Sequence, residues 1–274
     1  MRSSSGFTLI EVMMMILVLS ALAVSSIITV SGDLDQSRRE DTVREMLEIR
    51  EALLGLDEGR LGRSSFGYLG DLGGIPTAAQ GGLAALWTQP TTLQAWTVST
   101  SSPIAWLATG WNGSYLRNQG ILGADYSKDA WGNSYVYQGD SVPAWILSMG
   151  SDGVVGGTGW KADIKMDIPV ETVHTRVNIV IQNAGAPWNS SADADLYYPD
   201  STTGGVKTSQ AQSRSANGLF TFPDAIPYGR RTVRLYFPDR TGPTKTSGPY
   251  EVVVERPNPM LILGTLAKPI DVLP

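Results

Sequence analysis

From Phe7 to Val30 the chain is predominantly apolar and carries one formal charge, Glu11. A helix over this run is about 36 Å long, enough to cross a hydrocarbon core of roughly 30 Å with some tilt. Arg2 precedes the run, and Asp33, Asp35 and Glu40 follow it. That asymmetry predicts a short N-terminal tip in the cytoplasm and the rest of the chain across the membrane. The helical pattern continues outward. Val43, Met46, Leu47, Leu53 and Leu54 recur at three- and four-residue spacing, while Arg38, Arg39, Glu40, Glu48 and Glu51 fall mainly elsewhere. Gly55 and Gly59 are stop signals. The expected element is one long helical stem, with a transmembrane half at 7–30 and an outer half at 31–58.

Beyond the stem the period changes. Gly59 to Gly82 is glycine-rich and reads as loop, and Gly82 to Leu86 as a short helical piece. Ser134–Gln138 and Ala144–Met149 alternate at period 2 around Gly139-Asp140 and Pro143, which predicts consecutive antiparallel strands. The segment 59–164 is therefore expected to form a globular head with a small antiparallel sheet. After Ile164 the pattern shifts again. Val177, Ile179 and Ile181 share one face, and Thr232–Phe237 and Tyr250–Glu255 also alternate. The polar stretches Ala184–Asp195 and Ser201–Gly218 read as turn clusters. Short strands without a helical period predict an all-β sandwich at 165–274. Pro257, Pro259 and Pro269 keep the tail extended. The fold class is α+β.

Composition removes several function classes. Net charge is −5 and the basic residues are scattered apart from the pairs Arg38-Arg39 and Arg230-Arg231, so no basic field exists to hold nucleic acid. With no cysteine, disulfides, thiolate metal sites and cysteine nucleophiles are excluded. His174 is the one histidine; it reads as a surface residue at the start of a strand. Asp193 and Asp195 could share one face of a strand, but read as loop residues. No phosphate-binding glycine motif or nucleophile elbow accompanies them. The residues point to no enzyme and to no required cofactor.

Three readings compete for the apolar run: a signal peptide cut after Ala21-Leu22-Ala23, a plain anchor, or a leader at 1–6 cut so that the run is retained. Glu11 separates them. A carboxylate inside an apolar span is costly, and neither of the first two gains from it. Cleavage between Gly6 and Phe7 would free an α-amino group four residues away, which Glu11 of a neighbouring subunit could neutralise. Gly6-Phe7-Thr8-Leu9-Ile10-Glu11 closely resembles the type IV prepilin cleavage motif. The resemblance implies cleavage after Gly6 by a prepilin peptidase, N-methylation of Phe7, and assembly through Glu11.

Further motifs follow in order: Ile75-Pro76-Thr77 with Gly82–Leu86, Gly110–Leu116, Asp129–Tyr137 and Ser148–Gly153. Together they resemble the major (G-type) pseudopilin of type II secretion over residues 6 to about 164. Members of that family bind calcium in the loop matching Gly150–Asp163. Asp152 and Asp163 match its acidic positions, whereas Trp160-Lys161 stands where further acid is usual. Two readings stay open: a structural Ca²⁺ held by Asp152 and Asp163, or a glycine turn in which backbone amides satisfy Asp152. Trp131-Gly132-Asn133 reads as a turn, with permissive angles at Gly and Asn and the Trp packed inward.

Asn217–Phe222 followed by Ile226-Pro227-Tyr228-Gly229 loosely resembles the transthyretin-type sandwich of carboxypeptidase regulatory domains; an Ig-like sandwich is the other form. Such a domain departs from the G-type pattern, which ends near Asp163. Trp188, Tyr197, Tyr198 and Tyr228 are candidates for a binding surface, with core packing as the competing use. The implied function is a structural subunit of a type II secretion-like pseudopilus in the bacterial inner membrane, single-pass, with its globular regions periplasmic. Its implied partners are copies of itself in a helical filament, minor pseudopilins, the prepilin peptidase, and an inner-membrane platform with its ATPase. The alternative is a minor type IV pilin or adhesin-like subunit, periplasmic or surface-exposed, whose C-terminal domain binds cargo, a sugar or an envelope partner.

Overall fold

The computed structural model describes residues 9–55, 66–116, 125–168, 174–183, 186–188, 190–213, 218–242, 245–254 and 266–271. Side chains of 23–32 lie outside it. Helix α1 runs Leu9–Leu54, a rise of about 69 Å. It stops where the sequence places glycine: Gly55 has φ +82° and returns its N–H to Glu51 O at 2.7 Å. Among the described residues no helix is long and apolar enough to cross a membrane. The described part of the apolar run ends at Leu22, so the expected span at 7–30 lies partly outside it.

The chain divides into two compact units. The first comprises Met1–Glu45, Lys128–Tyr135 and Ser148–Ile164; the second comprises Met46–Ser127, Val136–Leu147 and Lys165–Pro274. In the second unit Met46, Ile49 and Leu53, on the last turns of α1, are buried, as are Tyr68, Leu69 and Leu72 of helix α2 (Gly67–Leu72). Leu83, Ala85 and Leu86 are buried from a 3-10 turn at Gly82–Leu86. A two-stranded ribbon follows, β1 (Thr97–Val98) with β2 (Ala108–Thr109). A three-stranded sheet has the order β3 (Val136–Gln138), β4 (Ala144–Ser148), β5 (Ile164–Ile168), with β3 and β4 antiparallel.

The C-terminal region contains two four-stranded sheets. One has the path β10 (Leu219–Pro227), β6 (His174–Asn183), β13 (Leu266–Asp271), with β7 (Ala186–Pro187) added to β6. The other has the order β12 (Lys245–Val254), β11 (Gly229–Phe237), β8 (Ala192–Pro199), β9 (Val206–Ser213). Alternate residues fill the core: Val177, Ile179 and Ile181 from β6, Phe220 and Phe222 from β10, Ala194 and Leu196 from β8, Val233 and Leu235 from β11. Two expected turn clusters turn out to contain strands. Ala192–Pro199 and Val206–Ser213 pair with each other along their whole length; β8 is covered on both faces, whereas Thr208, Gln210 and Gln212 of β9 are exposed. Asp193 and Asp195 are therefore buried strand residues, not loop residues. The tail stays extended at β13, which includes Pro269 on the sheet edge.

Candidate functional site

Gly6 and Phe7 lie outside the described residues. Glu11 stands in the first turn of α1 and is exposed. Around it Leu9, Ile10, Met13, Met14, Ile16, Leu17 and Leu19 each expose more than half of their surface. This is an apolar helix surface with one carboxylate set into it, and no other described residue of the unit covers it.

Further along the helix, the Asp129–Tyr135 motif is closed by Asp129. Its Oδ1 accepts the N–H groups of Trp131 (3.0 Å) and Asn133 (2.9 Å), and its Oδ2 accepts Ser148 Oγ–H at 2.6 Å. Gly132 supplies the turn's positive φ, +91°. Asn133 does not; its amide instead donates to Gly150 O at 2.7 Å and ties the turn to the following loop. Three bonds then fasten the turn to α1: Ala130 N–H to Thr42 Oγ1 (3.2 Å), Trp131 Nε1–H to Asp35 Oδ1 (3.1 Å), and Tyr135 O–H to Glu45 Oε2 (2.9 Å). Thr42 is fully buried. Trp131 is half-buried, with its polar edge spent on the helix.

The Gly150–Asp163 loop folds tightly on itself. A Cβ on Gly150 or Gly157 would lie within 2.8 or 2.6 Å of Lys161 O, so both positions demand glycine. Asp152 Oδ1 accepts Val154 N–H (3.2 Å), and Asp163 Oδ2 accepts Gly156 N–H (3.0 Å). Asp163 Oδ1 is buried with no hydrogen-bond partner among the described residues, a condition a hard cation would relieve. Against this, the described residues contain no group of three or more His, Cys, Asp or Glu able to hold a metal.

Within the second unit, segments 66–116 and the sandwich interlock around Arg231, a residue whose sequence context marks only a basic pair. Arg231 is fully buried. Its Nε donates to Pro227 O (3.0 Å), Nη1 to Gly70 O (3.0 Å) and Arg230 O (2.8 Å), and Nη2 to Tyr228 O. Strand β10 turns into β11 through Tyr228 alone. At that corner Gly229 has φ +131°, and a Cβ there would meet the guanidinium at 2.8 Å. The missed signal was register: Arg231 stands two residues before Val233, on the face that buries Val233, Leu235 and Phe237. Asp71 lies beside it and accepts Tyr115 O–H at 3.1 Å. Burial pushes the Asp71 carboxyl above its ordinary value, while Asn112, Tyr115 and the Arg231 charge pull the other way. His174 is half-buried rather than a free surface residue. Burial lowers its pKa, opposed by a hydrogen bond with the Gly73 backbone. Gln80 Nε2–H donates to Ser201 O (2.7 Å) and Gln94 N–H to Thr203 O (2.9 Å), adding two more stitches.

The four aromatic candidates are used for packing. Tyr228 and Tyr197 are buried, Tyr198 is half-buried, and Trp188 packs on Phe237 at a tilt of 54° with ring centroids 4.7 Å apart. Asp193 and Asp195 are held by Arg240, at 3.3 and 2.6 Å. None of these arrangements presents a nucleophile with a base.

The family model for type II secretion system protein G matches residues 64–167. The type II secretion system core protein G of Vibrio cholerae is 30% identical over 166 residues, 60% of this chain and 92% of that protein. The protein of the same name from Pseudomonas aeruginosa is 32% identical over 165 residues, 60% of this chain and 94% of its own length.

Proposed function

Because the chain belongs to the family of type II secretion system protein G, we propose that it is a structural subunit of a type II secretion pseudopilus, polymerising through α1 as a continuous stem. The observation that carries this is the outward-turned apolar start of α1 around Glu11. Such a surface is stable in lipid before assembly and against neighbouring helices after it. The apolar sequence continues without charge to Val30, so the anchored subunit crosses the inner membrane once, N-terminus inside. A prepilin peptidase cuts between Gly6 and Phe7, the new terminus is methylated, and an assembly platform with its ATPase adds subunits beside minor pseudopilins.

Glu11 then compensates the amine of Phe7 on the adjoining subunit. Removing one partner of a buried charge pair costs about 3–5 kcal/mol, enough to stop polymerisation. In cells expressing Glu11→Ala, mass spectrometry should find the leader removed as in the wild type, while filaments and secretion are lost. Filaments and secretion at wild-type level in that variant would sink the role given to Glu11.

The Gly150–Asp163 loop is read as fastened by calcium. Asp152 and Asp163 would hold the ion, the orphan Oδ1 of Asp163 being the support for it; backbone carbonyls and water would complete a shell of roughly 6–8 oxygens. The ion would supply rigidity to the loop and no catalysis.

A further inference from the structure

We propose that the outer face of the β1–β2 ribbon, with the β11 residues that touch it, binds a neutral glycan whose sugar rings stack on Trp96 and Trp106. The register pairs Thr97 with Thr109 and Val98 with Ala108; past it Ser99 N–H donates to Leu107 O and Ser99 O accepts Trp106 N–H, both 2.9 Å, so that Trp106 and Leu107 together oppose Ser99 as in a β-bulge. Leu107 and Thr109 are buried and mark the inward face. Trp96, Val98 and Ala108 therefore occupy the opposite face, where Trp96 and Val98 are 40% and 41% exposed. Trp106, at the end of the same ribbon, is 68% exposed.

Among the described residues Trp106 is the one non-glycine with positive φ, +72°. A bulky side chain in that region is strained, and packing does not compensate it because most of the indole faces solvent. Folding alone gives no reason to keep tryptophan here. The platform is also fixed in place: Thr232 Oγ1–H donates to Ala105 O at 3.2 Å, and Arg234 Nη1–H donates to Ser102 Oγ.

Charge and area select the ligand class. On the β11 face whose Thr232 and Arg234 touch the ribbon, Arg240 is paired with Asp193 and Asp195, and Arg230 with Glu251 at 3.0 Å. The formal charges of this face largely neutralise one another, which disfavours a strongly charged ligand. What remains are hydroxyls at Thr100, Ser101 and Thr246 and the guanidinium of Arg234, donors and acceptors suited to sugar hydroxyls. A stable protein interface needs about 20–30 residues a side, whereas the ribbon offers three large exposed apolar side chains. Indole faces are electron-rich and attract the C–H face of a pyranose ring.

The test is native affinity electrophoresis of the full-length chain in a detergent without a sugar headgroup. The gels contain hydroxyethyl cellulose, dextran or mannan as probes, with unfolded casein as a polypeptide control. At least one polysaccharide should retard the wild type. Trp106→Gly, which suits the backbone angle, and Trp96→Ala should each weaken retardation at least tenfold while keeping a cooperative melting transition. The proposal is overturned if no polysaccharide retards the protein, if the Trp96→Ala/Trp106→Gly double variant still binds, or if casein alone is retained through these tryptophans.

Discussion

Arg231 offers the most demanding check on how the second unit is held together. In Arg231→Ala the carbonyls of Gly70, Pro227, Tyr228 and Arg230 lose their donors at once. Each bond to a charged group contributes about 1.5–3 kcal/mol, so the gross loss is large. Part of it is offset, because the variant no longer buries a guanidinium, whose charged form burial already disfavours. The net cost of removing one side of such a buried arrangement is about 3–5 kcal/mol. For a unit of this size that lowers the melting temperature by about 6–20 °C. Urea and thermal denaturation of the detergent-solubilised chain, followed by tryptophan fluorescence, would measure it. Arg231→Lys keeps the charge but presents its donors from one point, which cannot reach carbonyls spread across residues 70, 227, 228 and 230; it should fall between the two. An Arg231→Ala protein within about 1 kcal/mol of wild type, or a lysine variant equal to wild type, would refute this account.

Three other outcomes are expected. The folded-state pKa of Asp71 is raised, so the native protein holds its proton more tightly than the unfolded chain, and its contribution to stability falls as pH climbs above about 3.8. The stability difference between wild type and Asp71→Asn should therefore shrink or reverse from acid to neutral pH; a flat difference would exclude the effect. Calcium at a hundredfold excess over its dissociation constant should stabilise the wild type by about 2.7 kcal/mol and leave Asp163→Asn unmoved, and equal melting curves with calcium and with chelator would remove the ion from the loop. Trp106→Gly relieves a strained angle at an exposed site and should stabilise the chain by about 1 kcal/mol; a lower denaturation midpoint would show that the indole packs after all.

Local patterns were readable where one side of an element faces an apolar neighbour. Met46, Leu53 and Leu54 of the helical stripe, its stop at Gly55, the strands at Val136–Gln138 and Ala144–Ser148, and the inward run Val177, Ile179, Ile181 all announce themselves by period, whereas Val43 and Leu47, expected on the same stripe, are exposed. Strands β8 and β9 did not. Asp193, Asp195, Gln210 and Gln212 stand opposite one another on a sheet face, and polar residues there imitate a loop. Arg231 was hidden for a different reason. Its partner Gly70 is 161 residues away, and a lone arginine gives no sign of which distant carbonyls it will meet. The Asp129 turn was legible as a turn, but its attachment to Asp35, Thr42 and Glu45 was not, since those residues read as the polar side of a helix.

The stitching of Gly70 to β11, and of Gln80 and Gln94 to the turn between β8 and β9, has a consequence for anyone wishing to transplant the C-terminal strands. Cutting at residue 165 would not liberate a ready-made module; it would strip α2 of a fitted wall and leave the corner at Gly229 without its clamp. A working graft onto another subunit would have to carry 66–116 along with 165–274. By the same reasoning, the extension and the loops beneath it had to be shaped to each other, so the added strands enlarge an existing body instead of hanging from it on a tether.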